Sequence, residues 1–238
     1  MEAIILAGGR GERLGDAAEG KPKALVPIAG YPLAAYQVSQ LRRAGVRRVI
    51  VSCARGYGGL FADELAGLGC EIVPVEEPEP LGRGGGLRFA AAYRSEGGAL
   101  FALNGDELLD VDLDAMLALH RERGAAATIA VAPLVSALGV VDIGDGGFVS
   151  GFREAPRLPY WVNIGCYVLD DEAVARLPER GDHEHSTFPE LALEGKLLAW
   201  EHDGIWLTVN TPKQLRQAAD WFIAHPEWRP DVPGTDTL

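Results

Sequence analysis

The stretch MEAIILAGGRGERLG runs from a hydrophobic segment into the glycines Gly8, Gly9, Gly11 and Gly15. Arg10 and Arg13 are set among them, and Lys23 follows in KPKALVPI. A glycine loop at the end of a strand offers backbone N–H groups to an anion and lets a ligand approach the main chain closely. Two familiar forms of such a loop are excluded. A dinucleotide fingerprint needs G-x-G-x-x-G opening straight into a helix, with an acidic residue closing the second strand roughly 20 residues on. Here the last glycine spacing is wrong and the second strand ends in SCAR. A P-loop needs G-K-[ST] after its glycines, and none follows. The loop alone therefore indicates phosphate binding without naming the ligand.

The elements that must hold this loop follow an alternating pattern. AIILAG (3–8), RRVIVSCA (47–54), EIVPVEE (71–77) and ALFALNGD (99–106) read as strands. PLAAYQVSQLRRAG (32–45), a segment around 59–67 and LGRGGGLRFAAAYR (81–94) read as the helices between them. Continuous rather than alternating apolarity in IILA and VIVS fits a parallel sheet covered on both faces. DLDAMLALHRERG (112–124) is a helix with Asp112 as N-cap and Gly124 as C-cap. After it, ATIAVAPL, GVVDI, GGFVSGFRE and YWVNIGCYVL suggest strands joined by short turns, more mixed or antiparallel. A last helix (211–225) carries Leu215, Ala218, Ala219 and Phe222 at helical spacing. The tail beyond it is expected to be poorly ordered.

Composition bounds the partners. The chain has 238 residues, 34 acidic against 22 basic, and a formal charge of -12. That balance argues against nucleic acid or an anionic membrane as partner, while leaving room for small polyanions held by a few cations. Cys53, Cys70 and Cys166 are dispersed without a CxxC pair, so reduced thiols are expected rather than a disulfide framework or zinc ribbon. No secretory signal or membrane-spanning run is evident, and a cytoplasmic protein is expected.

Leu6-Ala7-Gly8-Gly9-Arg10-Gly11-Glu12-Arg13-Leu14, followed by Pro22-Lys23-Ala24-Leu25-Val26-Pro27-Ile28, resembles the paired opening motifs of the sugar-phosphate nucleotidylyltransferases. LNGDELLDVDL (103–113) resembles that family's strand-end N-G-D. GFREAP (151–156) is similar to its G-x-x-E-K-P, with Ala155 in place of the lysine. YWVNIGCYVL (160–169) resembles its V-N-x-G strand, and IWLTVNTPKQL (205–215) its closing W-x-D-[IV]-[GN]-T-P. The resemblance spans roughly residues 1–220. It implies an α/β fold: a three-layer α/β/α sandwich with a Rossmann-like, mostly parallel sheet and a mixed sugar-binding half. A single domain over 1–226 is expected, with a nucleotide-binding half (1–106), a sugar-phosphate half (107–226) and a tail (227–238).

The implied reaction is attack by a sugar 1-phosphate oxygen on the α-phosphorus of an NTP, expelling pyrophosphate. The nucleophile is already an anion, so positioning and charge neutralisation matter more than a general base. The resemblance assigns Arg13 to the triphosphate, with Arg10 weaker, and Lys23 to a point between the two phosphates, where a compact ammonium is suited. Leu6, Ala7, Gly8, Gly9, Gly11 and Asn104 would line the nucleotide site. Asp106 would bind catalytic Mg2+. Thr208 stands where relatives carry the second metal aspartate, and Asn210 is the expected replacement ligand. The alternative role for Asn210 is to cap the last helix. Glu77, five residues before Gly82, would read the base edge. A carboxylate can accept from N1–H and the 2-amino group of guanine, which favours GTP, or failing that a pyrimidine keto base, over ATP. Gly139, Glu154 and Asn163 would contact the sugar.

Other clusters take plainer readings. Asp110, Asp112 and Asp114 read as capping or solvated groups, and Lys21 as a surface charge. His183-Glu184-His185 lacks zinc spacing and reads as a loop over the sugar site. Tyr160, Trp161 and Trp206 read as core or pocket wall. Two rival functions share much of the pattern. One is a molybdopterin-type guanylyltransferase. The other is a catalytically reduced nucleotide-sugar-binding or regulatory protein, suggested by Thr208 and Ala155. The resemblance also leaves room for a homo-oligomer.

Overall fold

The structure is a computed structural model and describes residues 1–9 and 20–231. Arg10, Gly11 and Arg13 lie outside the described residues. In chain order the elements begin with β1 (Glu2–Ala7), β2 (Pro27–Ile28), β3 (Tyr31–Pro32), α1 (Leu33–Arg43), β4 (Arg48–Ala54), α2 (Gly58–Glu64), β5 (Glu71–Glu77), α3 (Gly82–Ala91) and β6 (Leu100–Asn104). Then come β7 (Glu107–Leu109), α4 (Leu113–Arg123), β8 (Ala127–Val135), β9 (Val140–Ile143), β10 (Val149–Arg153), β11 (Arg157–Leu169) and α5 (Asp171–Ala175). The chain closes with α6 (Thr187–Leu193), β12 (Leu197–Glu201), β13 (Trp206–Thr208) and α7 (Pro212–Ala224).

Seven strands form one sheet in the order β12-β8-β11-β6-β1-β4-β5. β1 pairs in parallel with β4 and β6, β4 with β5, and β12 with β8, while β11 runs antiparallel between β6 and β8. The apolar run of β1 is buried on both faces, as expected for a covered parallel strand. Ala3, Ile5 and Ala7 face a core that includes Val38 and Leu41 of α1, Phe61 of α2 and Met116 of α4. Ile4 faces the opposite core, with Leu87 of α3, Ala173 of α5 and Leu191 of α6. This is the α/β/α architecture the sequence implied. α4 keeps both expected caps: the Asp112 side chain accepts from Ala115 N, and Gly124 adopts a left-handed φ of 60°.

Several features depart from the sequence pattern. GVVDI and GGFVSGFRE form a separate two-stranded ribbon, β9–β10, rather than joining the main sheet. β12 and α6 give little periodic signal, and packing creates them. The start of the tail is docked rather than loose: the Trp228 ring lies 5.8 Å from Trp221, and Asp231 meets Arg43 at 3.2 Å and accepts from it. Its backbone N–H also donates to Ser39 Oγ at 3.1 Å. In the His183-Glu184-His185 segment, read as a loop, His185 is exposed but His183 turns inward. His183 is fully buried against Phe188 and Tyr167, with ring centroids 4.5 and 5.2 Å away, and burial lowers its pKa.

The glycines of LGRGGG serve that packing. A Cβ at Gly84 would lie 2.7 Å from Pro178 Cγ and 2.8 Å from His183 N, and one at Gly85 would lie 2.7 Å from the Glu179 carbonyl oxygen. The segment 178–183 thus lies directly on the first turn of α3, tied by Gly85 N donating to Gly181 O at 3.1 Å. Gly84→Ala is expected to cost about 1–3 kcal/mol through overpacking. Gly59→Ala, in α2 with open space around it, should be neutral or slightly stabilising. Denaturant midpoints of the two variants provide the comparison.

Candidate active site

The C-terminal ends of β1, β4, β5 and β6 open into a cleft of about 940 Å³. Leu6, Ala7, Gly8, Gly9, Lys23, Glu77, Gly82, Asn104 and Asp106 all line it, so these nine expected site residues share one cavity. β6 brings the N-G-D turn against β1: Gly105 N donates to Leu6 O at 2.8 Å, and a Cβ at Gly105 would lie 2.5 Å from that oxygen. The glycine of N-G-D is therefore required by backbone contact. Gln37 of α1, 2% exposed, donates from its Nε2 to the carbonyls of Asn104 and Glu107 at 2.8 Å each. It fixes the turn that presents Asp106.

Asn210 reaches the same point from the other end of the chain. β13 pairs antiparallel with β7, setting Thr208 opposite Glu107, and Val209 N donates to Asp106 O at 3.1 Å. Asp110 anchors the entry to this ribbon: its Oδ1 accepts from Ile205 N at 2.5 Å and lies 3.0 Å from His202 Nε2. Asp110 is thus a tether, not a solvated charge. The N-cap of α7 is Thr211, whose hydroxyl accepts from Gln214 N, so Asn210 does not cap the helix. Instead Asn210 Oδ1 accepts from Lys23 Nζ at 2.6 Å, and Asp106 Oδ2 accepts from the same nitrogen at 2.5 Å. Lys23 begins a short 3-10 turn after Pro22, and its N–H donates to Gly9 O at 3.2 Å.

The carboxylate of Glu77 is fixed on both oxygens. Oε1 accepts from the Ser52 hydroxyl at 2.8 Å, and Oε2 from Leu81 N at 3.1 Å. Gly86 must lack a side chain for this, because a Cβ there would lie 2.9 Å from Oε1. Glu107, beside Asp106 and marked by no motif, also lines the cleft. Burial, reinforced by the neighbouring Asp106 charge, pushes its carboxyl up to about 8, against a hydrogen bond from Trp206 Nε1 at 2.8 Å.

A carboxylate and an amide oxygen converging on one cation are hard donors of the kind Mg2+ takes, sharing its remaining positions with phosphate oxygens and water. Among the described residues, no group of three or more His, Cys, Asp or Glu could hold a metal; the Asp106–Asn210 pair is the one the sequence resemblance points to. The expected sugar residues lie elsewhere. Asn163 packs next to the N-G-D turn: its Oδ1 accepts from Gly165 N at 3.0 Å, and a Cβ at Gly165 would lie 2.6 Å from Asn104 Nδ2. Gly139 and Glu154 are neighbours of each other at the β9–β10 ribbon, where a Cβ at Gly139 would lie 3.0 Å from Glu154 Oε2. None of the three lines the cleft. Lys21 pairs with Glu64 at 2.7 Å, away from it.

The sequence model of the nucleotidyl transferase family matches residues 2–222. The chain belongs to that family. It is 31% identical over 249 residues to the mannose-1-phosphate guanylyltransferase catalytic subunit beta of Xenopus tropicalis, an alignment covering 98% of this chain and 69% of that protein. It is also 31% identical to the mannose-1-phosphate guanylyltransferase of Mycobacterium tuberculosis, covering 92% and 64%. Among solved structures, the inositol-1-phosphate CTP transferase of T. maritima superposes with a TM-score of 0.74 at 20% identity, covering 97% of each chain. The HddC protein of Yersinia pseudotuberculosis complexed with GMP-PN superposes at 0.67 and 22% identity, covering 93% and 99%.

This nucleotidyltransferase therefore assembles its candidate site from residues the motifs disclose and from supports they do not. Gln37, Ser52 and Asp110 carry no motif signal, since each acts on backbone or on another side chain. Gln37→Leu should cost about 1–3 kcal/mol, because two carbonyls lose their buried donor. It should also lower turnover, as the Asp106 turn loses its support. Denaturant unfolding alongside initial-rate measurements checks both effects.

Proposed function

We propose that this chain transfers a nucleotidyl group from an NTP to a sugar 1-phosphate, giving a nucleotide sugar and pyrophosphate. The observation that carries the reading is that Lys23 and Asp106, which line the cleft beside Gly8 and Gly9, meet each other, and that Lys23 also meets Asn210. Three residues far apart in sequence, of the types phosphoryl transfer needs, share one point. The names of the relatives, which describe transferases of mannose 1-phosphate and inositol 1-phosphate, support the acceptor class.

In this reading residues 1–106 form the nucleotide half and 107–226 the acceptor half. The backbone at Gly8 and Gly9 lines the nucleotide site, and Lys23 supplies a mobile point charge to the phosphates. The acceptor's phosphate oxygen bonds to the α-phosphorus as the bridging bond to the β-phosphate breaks, and the electron pair leaves with pyrophosphate. No proton transfer is needed. Asp106 and Asn210 would hold Mg2+, which when bound draws negative charge off the phosphates. Arg13 is assigned to the same phosphates. Asn163, whose Oδ1 accepts from Gly165 N next to Asn104, is assigned to the sugar together with Gly139 and Glu154.

Glu77 would select the base. Its carboxylate, held by Ser52 and Leu81, presents acceptors that suit N1–H and the 2-amino group of guanine, so GTP is the favoured donor, with a pyrimidine nucleotide next. The guanylyltransferase names of the relatives support the same choice. A cytoplasmic setting fits the substrates. No helix among the described residues is long and apolar enough to cross a membrane.

Pyrophosphate release across four NTPs and a panel of sugar 1-phosphates tests this function, and no release with any pair would overturn it. GTP should give the highest kcat/KM, and a best rate with ATP would refute the base assignment. Glu77→Gln should lower kcat/KM for GTP by about 10- to 100-fold. Asp106→Asn should lower turnover by at least roughly 100-fold, with only a small change in melting temperature. Undiminished turnover would remove Asp106 from the metal site.

A further inference from the structure

Lys23 and a metal ion cannot both use the site as it stands. The ammonium already holds Asp106 Oδ2 and Asn210 Oδ1, at 2.5 and 2.6 Å. A divalent ion bound to those oxygens at roughly 2.1 Å would lie less than about 5 Å from the nitrogen. A divalent and a monovalent cation that close, in a cleft where the lysine side chain is only 11% exposed, repel by many times thermal energy. Yet the reaction needs the metal on the oxygens and the ammonium on the phosphates. The two assignments become compatible only if they are successive.

We propose that Lys23 is the resident cation of the metal site, filling the Asp106–Asn210 position until a divalent ion expels its ammonium toward the phosphate subsite. The inference rests on reading Asp106 and Asn210 as metal ligands. The backbone of Lys23 stays fixed throughout by its hydrogen bond to Gly9 O, while its flexible four-carbon stem lets the charge swing. The exchange has two thermodynamic consequences. Metal binding without nucleotide is weakened, because two charge-assisted hydrogen bonds must break first. Nucleotide then strengthens metal binding, because its phosphates give the displaced ammonium a new partner, and by linkage the metal strengthens nucleotide binding equally.

The test is Mn2+ binding to the nucleotide-free protein, read from the EPR signal of free Mn2+. Lys23→Met should bind Mn2+ at least ten-fold more tightly than wild type. Lys21→Met removes the same charge from the ion pair with Glu64, outside the two-oxygen site, and should stay within about two-fold of wild type. Equal affinities for the two variants would overturn the exchange. A second measurement needs no variant: the rate of Lys23 acetylation in wild type, followed by mass spectrometry with and without saturating Mg2+ and no nucleotide. Lys23 labelling should rise at least five-fold with Mg2+ while Lys21 labelling is unchanged, and a flat Lys23 rate would overturn the proposal. Asp106→Asn, made in wild type and in Lys23→Met, separates the two levels of argument. Loss of Mn2+ binding in both backgrounds supports the ligand assignment. Retained binding in both overturns that assignment and the exchange with it.

Discussion

The contact of Lys23 with Asp106 and Asn210 joins positions 83 and 187 residues apart in the chain, and it is the constraint around which the described structure is organised. For Lys23 to arrive there, the chain after the glycine loop must return to Gly9 and turn at Pro22. Asp106 requires β6 to run in parallel beside β1 closely enough that the backbone of Gly105 touches Leu6 O. For Asn210, the chain must cross back from the far edge strand β12 and pair as β13 with β7. Each requirement is a backbone pairing or a close approach, the kind of interaction that tolerates little displacement. The charged groups are therefore carried on the rigid part of the fold.

Much of this arrangement is legible in the sequence, because phosphoryl-transfer chemistry restricts residue type as well as position. The two opening motifs, N-G-D and T-V-N-T-P mark all three partners through their resemblance to the family's motifs. The strands that carry them are legible too, since two-sided burial leaves a continuous apolar run in β1 and β4. What escapes the sequence is contact made for packing rather than for periodicity. Gly84, Gly85 and Gly86 read as the glycine-led start of a helix, yet they clear space for the segment 178–183 and for Glu77. His183 sits between charged neighbours in sequence, and only the fold turns its ring inward against Phe188 and Tyr167. Asp110 belongs to an acidic run that looks solvated until the ribbon from Ile205 folds onto it.

The acceptor side is the least legible part. The likenesses at Gly139, Glu154 and Asn163 mark three positions, but the fold sets two of them at the β9–β10 ribbon and one next to the N-G-D turn. A ribbon outside the main sheet has fewer fixed neighbours to specify its place, so short motif matches there carry less geometric information than the same matches on β1 or β6.

Electrostatics shows why the resident ammonium matters to the whole cleft. Among its described lining residues are Glu77, Glu79, Asp106, Glu107 and Asp182 against Lys23, Arg55 and Arg83, an excess of negative charge in a pocket assigned to a triphosphate. Most of these carboxyl groups have partners that stay in place. Glu77 accepts from Ser52 and Leu81, and Asp182 accepts from Arg83 N. Glu107, its carboxyl raised to about 8 by burial and the neighbouring Asp106 charge, accepts from Trp206 Nε1. Asp106 differs in resting directly on an ammonium, at 2.5 Å. It is also the one for which a metal is the expected partner. A half-buried carboxylate with no counter-charge is unfavourable, so a site that must stand ready for a divalent ion gains from a temporary substitute, and lysine can leave when the ion arrives.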